Sequence, residues 1–242
     1  MLFFWFLLNR VTPSEARLAR SALTPTTAET QAFFECVATD WDTVRLAYYD
    51  ESVIERMSAH SGISGEARSS MRVVEGGTGF ATAGLAPRVD WVTGVDDSPA
   101  VLRTARENLD ALGMENAELV RGDLSALPLT GGSVDAAFAN MVLHHAEDPS
   151  AMLAEMARVA RPGGSVVIAD EVERPYEWMR REHADVWRGF SEPQVAGFFE
   201  QAGLAGYGYE SLGMQRCIHS TTSGEVAGIA IFAAWDRRPS VR

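Results

Sequence analysis

Val73-Val74-Glu75-Gly76-Gly77-Thr78-Gly79-Phe80 is the stretch on which the reading turns. An apolar, β-branched start runs into a glycine turn, and a helix-compatible segment, Phe80–Ala86, follows. Glycines let a backbone approach a ligand closely and adopt positive φ. The helix N-terminus beyond them favours negatively charged groups. Such a turn is common after strands, so its meaning depends on what surrounds it.

Outward from this turn the chain alternates strand and helix. Arg72–Glu75 reads as the first strand, Trp91–Val95 as the second, Ala117–Arg121 as the third, Val134–Ala139 as the fourth and Ser165–Ala169 as the fifth. Helices are expected over Phe80–Ala86, Pro99–Leu112 and Pro149–Ala160, and over Tyr176–Ala202 in two pieces. Such alternation predicts an α/β fold, a doubly wound, mostly parallel sheet with helices on both faces. Right-handed crossovers then gather the C-terminal strand ends at one edge, where ligands bind. The last two β-rich stretches, Gly206–Cys217 and Gly224–Ala234, have no helix between them and predict an antiparallel hairpin. Upstream, Phe33, Phe34, Val37, Trp41 and Val44 recur at helical spacing, and Ser52–Ala59 reads as a further short helix. The expected division is an N-terminal helical lid or oligomerisation segment, 1–65, before a domain at 66–242.

Composition narrows the class. The net charge of −12 argues against nucleic acid as partner, because phosphate binding needs clustered Lys and Arg. It argues equally against an anionic membrane surface. Two cysteines, Cys36 and Cys217, form neither a CxxC pair nor a disulfide framework, which fits a reducing, cytoplasmic setting. Met1–Leu8 is strongly apolar. It is too short to span a bilayer, which takes about 20 residues. It lacks the basic region and cleavage site of a signal peptide. It reads as a segment that packs on its own domain or on a second subunit, so a homodimer is a possible assembly.

Candidate ligand-binding residues sit where the topology predicts. Asp96 closes the second strand 17 residues after Gly79, and a carboxylate there can accept both hydrogen bonds of a ribose diol. Asp97 follows it, at the start of Asp97-Ser98-Pro99. Asp123 after the third strand can accept from an adenine amino group, with the Leu124 N–H as donor to the ring. Each alone has a plain alternative: a helix-start charge for Asp97, a turn residue for Asp123. His144 and His145 follow the fourth strand, where either can serve as a base or simply cap the next helix.

Taken together these pieces resemble the class I S-adenosylmethionine-dependent methyltransferases. The likeness is to those similar to ubiquinone/menaquinone-biosynthesis enzymes, and among them to a bacterial group linked to ArsR-type regulators. The residues that carry it are Gly77-Thr78-Gly79, Gly94-Val95-Asp96-Asp97-Ser98-Pro99, Gly122-Asp123-Leu124, Leu127-Pro128-Leu129, Gly132-Ser133-Val134-Asp135, Asn140–His145 and Arg161-Pro162-Gly163-Gly164. The resemblance implies a Rossmann-like sheet, S-adenosylmethionine as cofactor and a small-molecule acceptor. It implies that Glu75, Gly77, Thr78 and Gly79 hold the methionine part. Asp96 would then hold the ribose, Asp123 and Leu124 the adenine with Asp97 beside it, and Asn140 and Met141 the sulfonium end, with Ser98 also among the cofactor-binding residues. Trp41 or Tyr49 would close over the site, while Trp178, His183 and Trp187 would shape the acceptor pocket.

One departure stands out. The family pattern is an acid, any residue, then glycines at every second position, whereas Glu75 is followed at once by Gly76 and Gly77. Either the loop is two residues shorter and Glu75 keeps the acidic role, or Val73 stands at the acid's place and Glu75 replaces the first glycine. The shortened loop is the reading adopted. A nicotinamide dehydrogenase needs a third glycine where Thr82 stands. Thiol or metalloid methyl transfer would draw on Cys36 or Cys217. A protein that binds the cofactor without turnover is the reading of a different class.

Overall fold

The computed structural model describes residues 25, 27–37, 48–63, 69–76, 79–204 and 206–240, with backbone alone at 27, 31, 37, 69–76 and 214–216. Trp41, Gly77, Thr78 and the apolar start at 1–8 lie outside the described residues, as does the side chain of Glu75.

In chain order the elements are α1 (Thr27–Val37), α2 (Ser52–Ser61), β1 (Ser69–Gly76), α3 (Phe80–Leu85), β2 (Val89–Asp96), α4 (Pro99–Ala111), β3 (Ala117–Arg121) and β4 (Val134–Asn140). A 3-10 turn over Leu143–His145 follows, then α5 (Pro149–Val159), β5 (Ala160–Glu171), α6 (Trp178–Glu182), α7 (Glu192–Gln201), β6 (Gly208–His219) and β7 (Val226–Arg237). The seven strands form one sheet in the order β3-β2-β1-β4-β5-β7-β6. β1 to β5 pair in parallel, while β7 inserts antiparallel between β5 and β6. The doubly wound sheet and its C-terminal hairpin are thus as the alternation predicts.

Both faces are buried, which is why the strands read as continuous apolar runs. Successive β4 residues serve opposite faces: Phe138 packs with Val53, Ile54 and Met57 of α2, while Ala137 and Ala139 pack with Met152, Leu153 and Met156 of α5. α2 is therefore part of the core. Pro149 opens α5 behind Asp148, whose side chain accepts from the Ala151 N–H. Ser98 does the same for α4 through the Val101 N–H. A short polar acceptor before a proline at the first turn is the helix-start signal expected from sequence.

Two differences from expectation are the largest. β5 begins at Ala160 rather than Ser165, because Ala160 pairs with Val134 across a register shift. Gly164 makes this close approach feasible: a Cβ there would meet the Arg161 and Asp135 carbonyl oxygens at 2.8 Å. The helical stretch after β5 shrinks to α6 and α7, because the chain between them turns back along β5. Val172 bridges Phe190, the Phe190 N–H donates to the Glu171 oxygen at 2.9 Å, and the Arg174 N–H donates to the Arg188 oxygen at 2.8 Å.

Candidate active site

The parallel strands end together at the sheet's C-terminal edge, and a cavity of about 380 Å³ opens there. Asp96 and Asp97 enter it from β2, Gly122, Asp123, Leu124 and Ser125 from the turn after β3, and Asn140, Met141 and Val142 from the end of β4. His145 lines it from the end of the 3-10 turn, and Glu147 and Asp148 from the residues that follow. Thr30 and Phe34 of α1 close it from above, with Tyr49 and Phe80 beside them.

One end is acidic. Asp96 accepts the Ser98 N–H at 2.8 Å, and Asp123 accepts the N–H and hydroxyl of Ser125, each at 2.7 Å. Burial, then the charge of Asp123, raises the Asp97 carboxyl above the usual carboxylate range. Carboxylates only accept, so this end suits a ligand rich in hydroxyl and amino donors. At the middle, Asn140 is buried and its Oδ1 has no hydrogen-bond partner. A buried acceptor left open has a cost of about 1–3 kcal/mol, which a ligand donor would relieve. Gly122 allows the backbone of its turn to sit tight, since a Cβ would fall 2.6 Å from the Pro128 ring. These features fit an adenosyl amino acid such as S-adenosylmethionine.

Of the residues singled out from sequence, Asp96, Asp97, Asp123, Leu124, Asn140, Met141, His145 and Tyr49 line the cavity. Gly79 does not; it caps α3 at φ +84°, and a Cβ there would strike the Ala105 Cβ at 2.6 Å. Ser98 is buried as a helix cap. His144 lies buried outside the cavity lining, with Nδ1 2.8 Å from the Asp170 carboxylate. Trp178, His183 and Trp187 also stand off the cavity, and Val186 is the residue of that segment that reaches it. Trp187 donates Nε1–H to the Ala146 oxygen at 2.8 Å, and His183 meets the Tyr48 hydroxyl at 2.6 Å. Cys36 and Cys217 are exposed and apart from the cavity.

From sequence, Asp170 carries no role beyond closing the Met156–Asp170 stretch, and Glu171, Arg174 and Asp185 carry no signal of their own. Asp170 also accepts the Leu143 and Glu171 N–H groups, at 2.8 and 2.7 Å. Arg174 pairs with Glu171 and, at 2.6 Å, with Asp185. All four are buried. The only available signal was a pair of acids closing an apolar strand at Ala169-Asp170-Glu171; the partner Asp185 is a loop residue with no motif. Burial alone would lower the His144 imidazole, but the charges of Asp170, Glu171 and Asp185 and the bond to Asp170 hold it up at about 9. His145 moves the other way, well below its usual value, through burial and then the charge of His144.

Backbone strain gathers at the same place. The two non-glycine residues with positive φ among those described are Met141 at 54° and Ala184 at 57°. Met141 lines the cavity, and the Ala184 oxygen lies 3.1 Å from His145 Nδ1. Such conformations cost about 1–3 kcal/mol each and persist where the surroundings impose them, often at functional sites.

Residues 74–168 match the family described as the methyltransferase domain. The chain is 35% identical over 139 residues to 2-methyl-6-phytyl-1,4-hydroquinone methyltransferase 2 of Oryza sativa subsp. japonica, covering 55% of this chain and 39% of that protein. It is 27% identical over 165 residues to the demethylmenaquinone methyltransferase of Clavibacter sepedonicus, covering 68% and 66%. Its fold is similar to that of a geranyl diphosphate C-methyltransferase from Streptomyces coelicolor A3(2), solved with Mg2+, geranyl diphosphate and S-adenosyl-L-homocysteine. The TM-score is 0.62 and the identity 16%, over 77% of this chain and 78% of that one. With its sheet order and ligand-ready strand ends, the chain carries a match to the methyltransferase domain over residues 74–168, and it spans 39% and 66% of the lengths of these two relatives.

Proposed function

We propose that the protein transfers a methyl group from S-adenosylmethionine to a small-molecule acceptor by in-line displacement. The observation that carries this is one cavity lined by the carboxylates of Asp96, Asp97 and Asp123, by Asn140 with its buried, unpartnered Oδ1, and by His145. Asp96 would hold the ribose, Asp123 and Leu124 the adenine, and Asn140 and Met141 the sulfonium end. Glu75, Gly77, Thr78 and Gly79 would serve the methionine part. Bound there, the cofactor supplies an electrophilic methyl carbon, and the new bond forms as the carbon–sulfur pair returns to sulfur. The chain's contribution is alignment and exclusion of water. The His144–His145 pair supplies a proton acceptor where the nucleophile carries a proton.

The small-molecule acceptor is supported by the relatives, named for hydroquinone and menaquinone precursors. The charge of −12 supports a partner other than nucleic acid. Among the described residues no helix is long and apolar enough to cross a membrane. A cytoplasmic site of action and a homodimer joined through the apolar N-terminus are part of the proposal. The lid reading of 1–65 is supported by Phe34 and Thr30 of α1, which face the cavity.

The test is incubation of the purified protein with S-adenosylmethionine labelled at the methyl group and a panel of hydroquinones and phenols. The expected result is a labelled product formed in step with S-adenosylhomocysteine. Release of S-adenosylhomocysteine at the rate of a protein-free control, across the panel, would overturn the proposal.

A further inference from the structure

We propose that His144, His145 and Asp185 form a three-ligand site for a divalent transition cation of the Zn2+ and Co2+ kind, with its fourth position open to the cavity. The site lies at the turn after β4, and the cofactor contacts read for Asp96, Asp123 and Asn140 do not use it.

Three ligand atoms converge. One from each residue lies within 4.8 Å of the other two. His144 Nε2 is 3.8 Å from Asp185 Oδ1, beyond hydrogen-bond reach. Asp185 Oδ2 is held by Arg174 at 2.6 Å, which leaves Oδ1 to coordinate. Tetrahedral ligands about 2.1 Å from a zinc ion lie about 3.4 Å from one another. The His144–Asp185 pair therefore closes by about 0.4 Å on loading and the widest pair by no more than about 1.4 Å, within the swing of a side chain. The other ring nitrogens are already engaged as metal-bound imidazoles require. A histidine on a metal almost always gives its second ring N–H to a carboxylate or a backbone carbonyl, which fixes tautomer and orientation. His144 Nδ1 meets the Asp170 carboxylate at 2.8 Å, and His145 Nδ1 meets the Ala184 carbonyl at 3.1 Å. Both partners accept, so Nε2 of each ring is the nitrogen left to coordinate.

The backbone holds this arrangement. Val186 and Trp187 donate their N–H groups to the His144 oxygen at 3.0 and 2.9 Å, which pins the chain after Ala184 onto the 3-10 turn. Ala184 keeps its strained φ of 57° there. The strain sets two consecutive residues at once: the Ala184 carbonyl on the His145 ring and the Asp185 carboxylate toward the His144 ring. Asp170 is fixed in turn by the Leu143 and Glu171 N–H groups, at 2.8 and 2.7 Å. Each ligand thus has its own supporting partner, as metal ligands do.

Charge favours a divalent ion. Asp170, Glu171 and Asp185 are buried together, and Arg174 is the one buried guanidinium among the described residues. It pairs with Glu171 and Asp185. With neutral imidazoles the cluster holds two negative charges in excess, which a dication balances. Before the ion binds, the same carboxylates hold a proton on His144; that proton leaves Nε2 for solvent as the ion takes the lone pair. Two imidazoles and one carboxylate suit Zn2+, Co2+ and Ni2+, whereas Mg2+ and Ca2+ take oxygen ligands. His145 lines the cavity, while His144 and Asp185 are buried outside its lining. The fourth position therefore faces the cavity, where it takes water or a lone-pair donor. On the methyl-transfer reading of the cavity, the loaded ion rather than a free imidazole meets the acceptor.

The experiment strips the full-length protein with a chelator and titrates it with Co2+ at about pH 8, followed by calorimetry and by visible absorption. One Co2+ per chain is expected, with a dissociation constant below about 10 μM and the intense visible bands of four-coordinate cobalt. Zn2+ should displace it, and Mg2+ in about thousandfold excess should not. His145→Ala and Asp185→Asn should each weaken binding at least about hundredfold. The spectrum and the Mg2+ competition need no variant, so they decide the matter even where a variant fails to fold. A control without the exposed donors, carrying Cys36→Ser, Cys217→Ser and His219→Ala, should bind as the native chain does. No uptake at about 1 mM Co2+, equal competition by Mg2+, or binding kept in His145→Ala and lost in the control overturns the inference. Parallel titration with S-adenosylhomocysteine separates the two readings. Its binding without Co2+ uptake sinks this inference alone, and Co2+ uptake without its binding sinks the reading of the cavity alone.

Discussion

Replacing Asp170 by Asn removes one charge and almost no volume from a fully buried site. In the native protein this carboxylate meets the His144 ring at 2.8 Å, the Leu143 N–H at 2.8 Å and the Glu171 N–H at 2.7 Å. An amide can turn only one oxygen to these three donors, so at least one N–H faces an NH2 group. That leaves a penalty of about 1 kcal/mol or more at any pH. The larger effect is charge. Holding the His144 imidazole protonated up to about 9 rather than 6.5 corresponds to about 3 kcal/mol of folding free energy. Breaking a buried pair by removing one partner costs about 3–5 kcal/mol by independent measure. A group whose folded pKa is raised contributes fully below its unfolded value and loses that contribution as pH rises through the folded one. Asp170→Asn should therefore cost about 4 kcal/mol near pH 6 and fall toward about 1 kcal/mol above pH 9. Urea unfolding followed by tryptophan fluorescence at three pH values reads this directly. A loss that is the same at each pH, or below about 1 kcal/mol at pH 6, would refute an imidazolium at His144.

Further outcomes are expected. Asn140→Ala should leave stability unchanged or raise it by up to about 1 kcal/mol, since it removes a buried Oδ1 that has no partner. It should weaken S-adenosylhomocysteine binding at least about tenfold, equal to about 1.4 kcal/mol; calorimetry and a thermal melt together check the pair of effects. Gly189→Ala forces a Cβ to 2.5 Å from the Val172 oxygen at φ +75°. It should cost at least about 2 kcal/mol, or about 4–8 °C of melting temperature in a protein of this size, and an unchanged melt would count against the placement of the 172–190 turn. The Glu182 carboxyl is pushed up by burial, but hydrogen bonds from Ser220, Thr222 and Thr221 outweigh this and bring it down to about 2. Its contribution is present above the usual 4.5 and lost as pH falls toward 2, so Glu182→Gln should flatten the acid limb of the stability profile.

Much of the fold can be read from local sequence, and the reasons are visible in particular residues. Strand β3 matches its expected bounds, because Ala117–Arg121 is closed by the Gly122-Asp123 turn that contributes to the cavity. Asp96, Asp123 and Asn140 are legible because each follows a strand, and parallel strands carry their C-terminal ends to one edge. His145 is legible for the same reason, but its division of labour with His144 is not: one residue along a 3-10 turn separates a cavity wall from a buried ion pair. The Asp170–Arg174–Asp185 cluster is illegible because its contacts join β5 to a loop with neither periodicity nor motif. The early start of β5 is hidden by Pro162-Gly163-Gly164, turn residues by composition that lie in the register shift between the Ala160 and Ser165 pairs.

The most direct test of the account is calorimetric titration of the intact protein with S-adenosylmethionine and S-adenosylhomocysteine, alongside Asp96→Ala. One equivalent of each should bind, and the variant should lose at least about tenfold in affinity. No binding to the intact chain, or binding untouched by the loss of Asp96, would contradict the assignment of this cavity as a cofactor site.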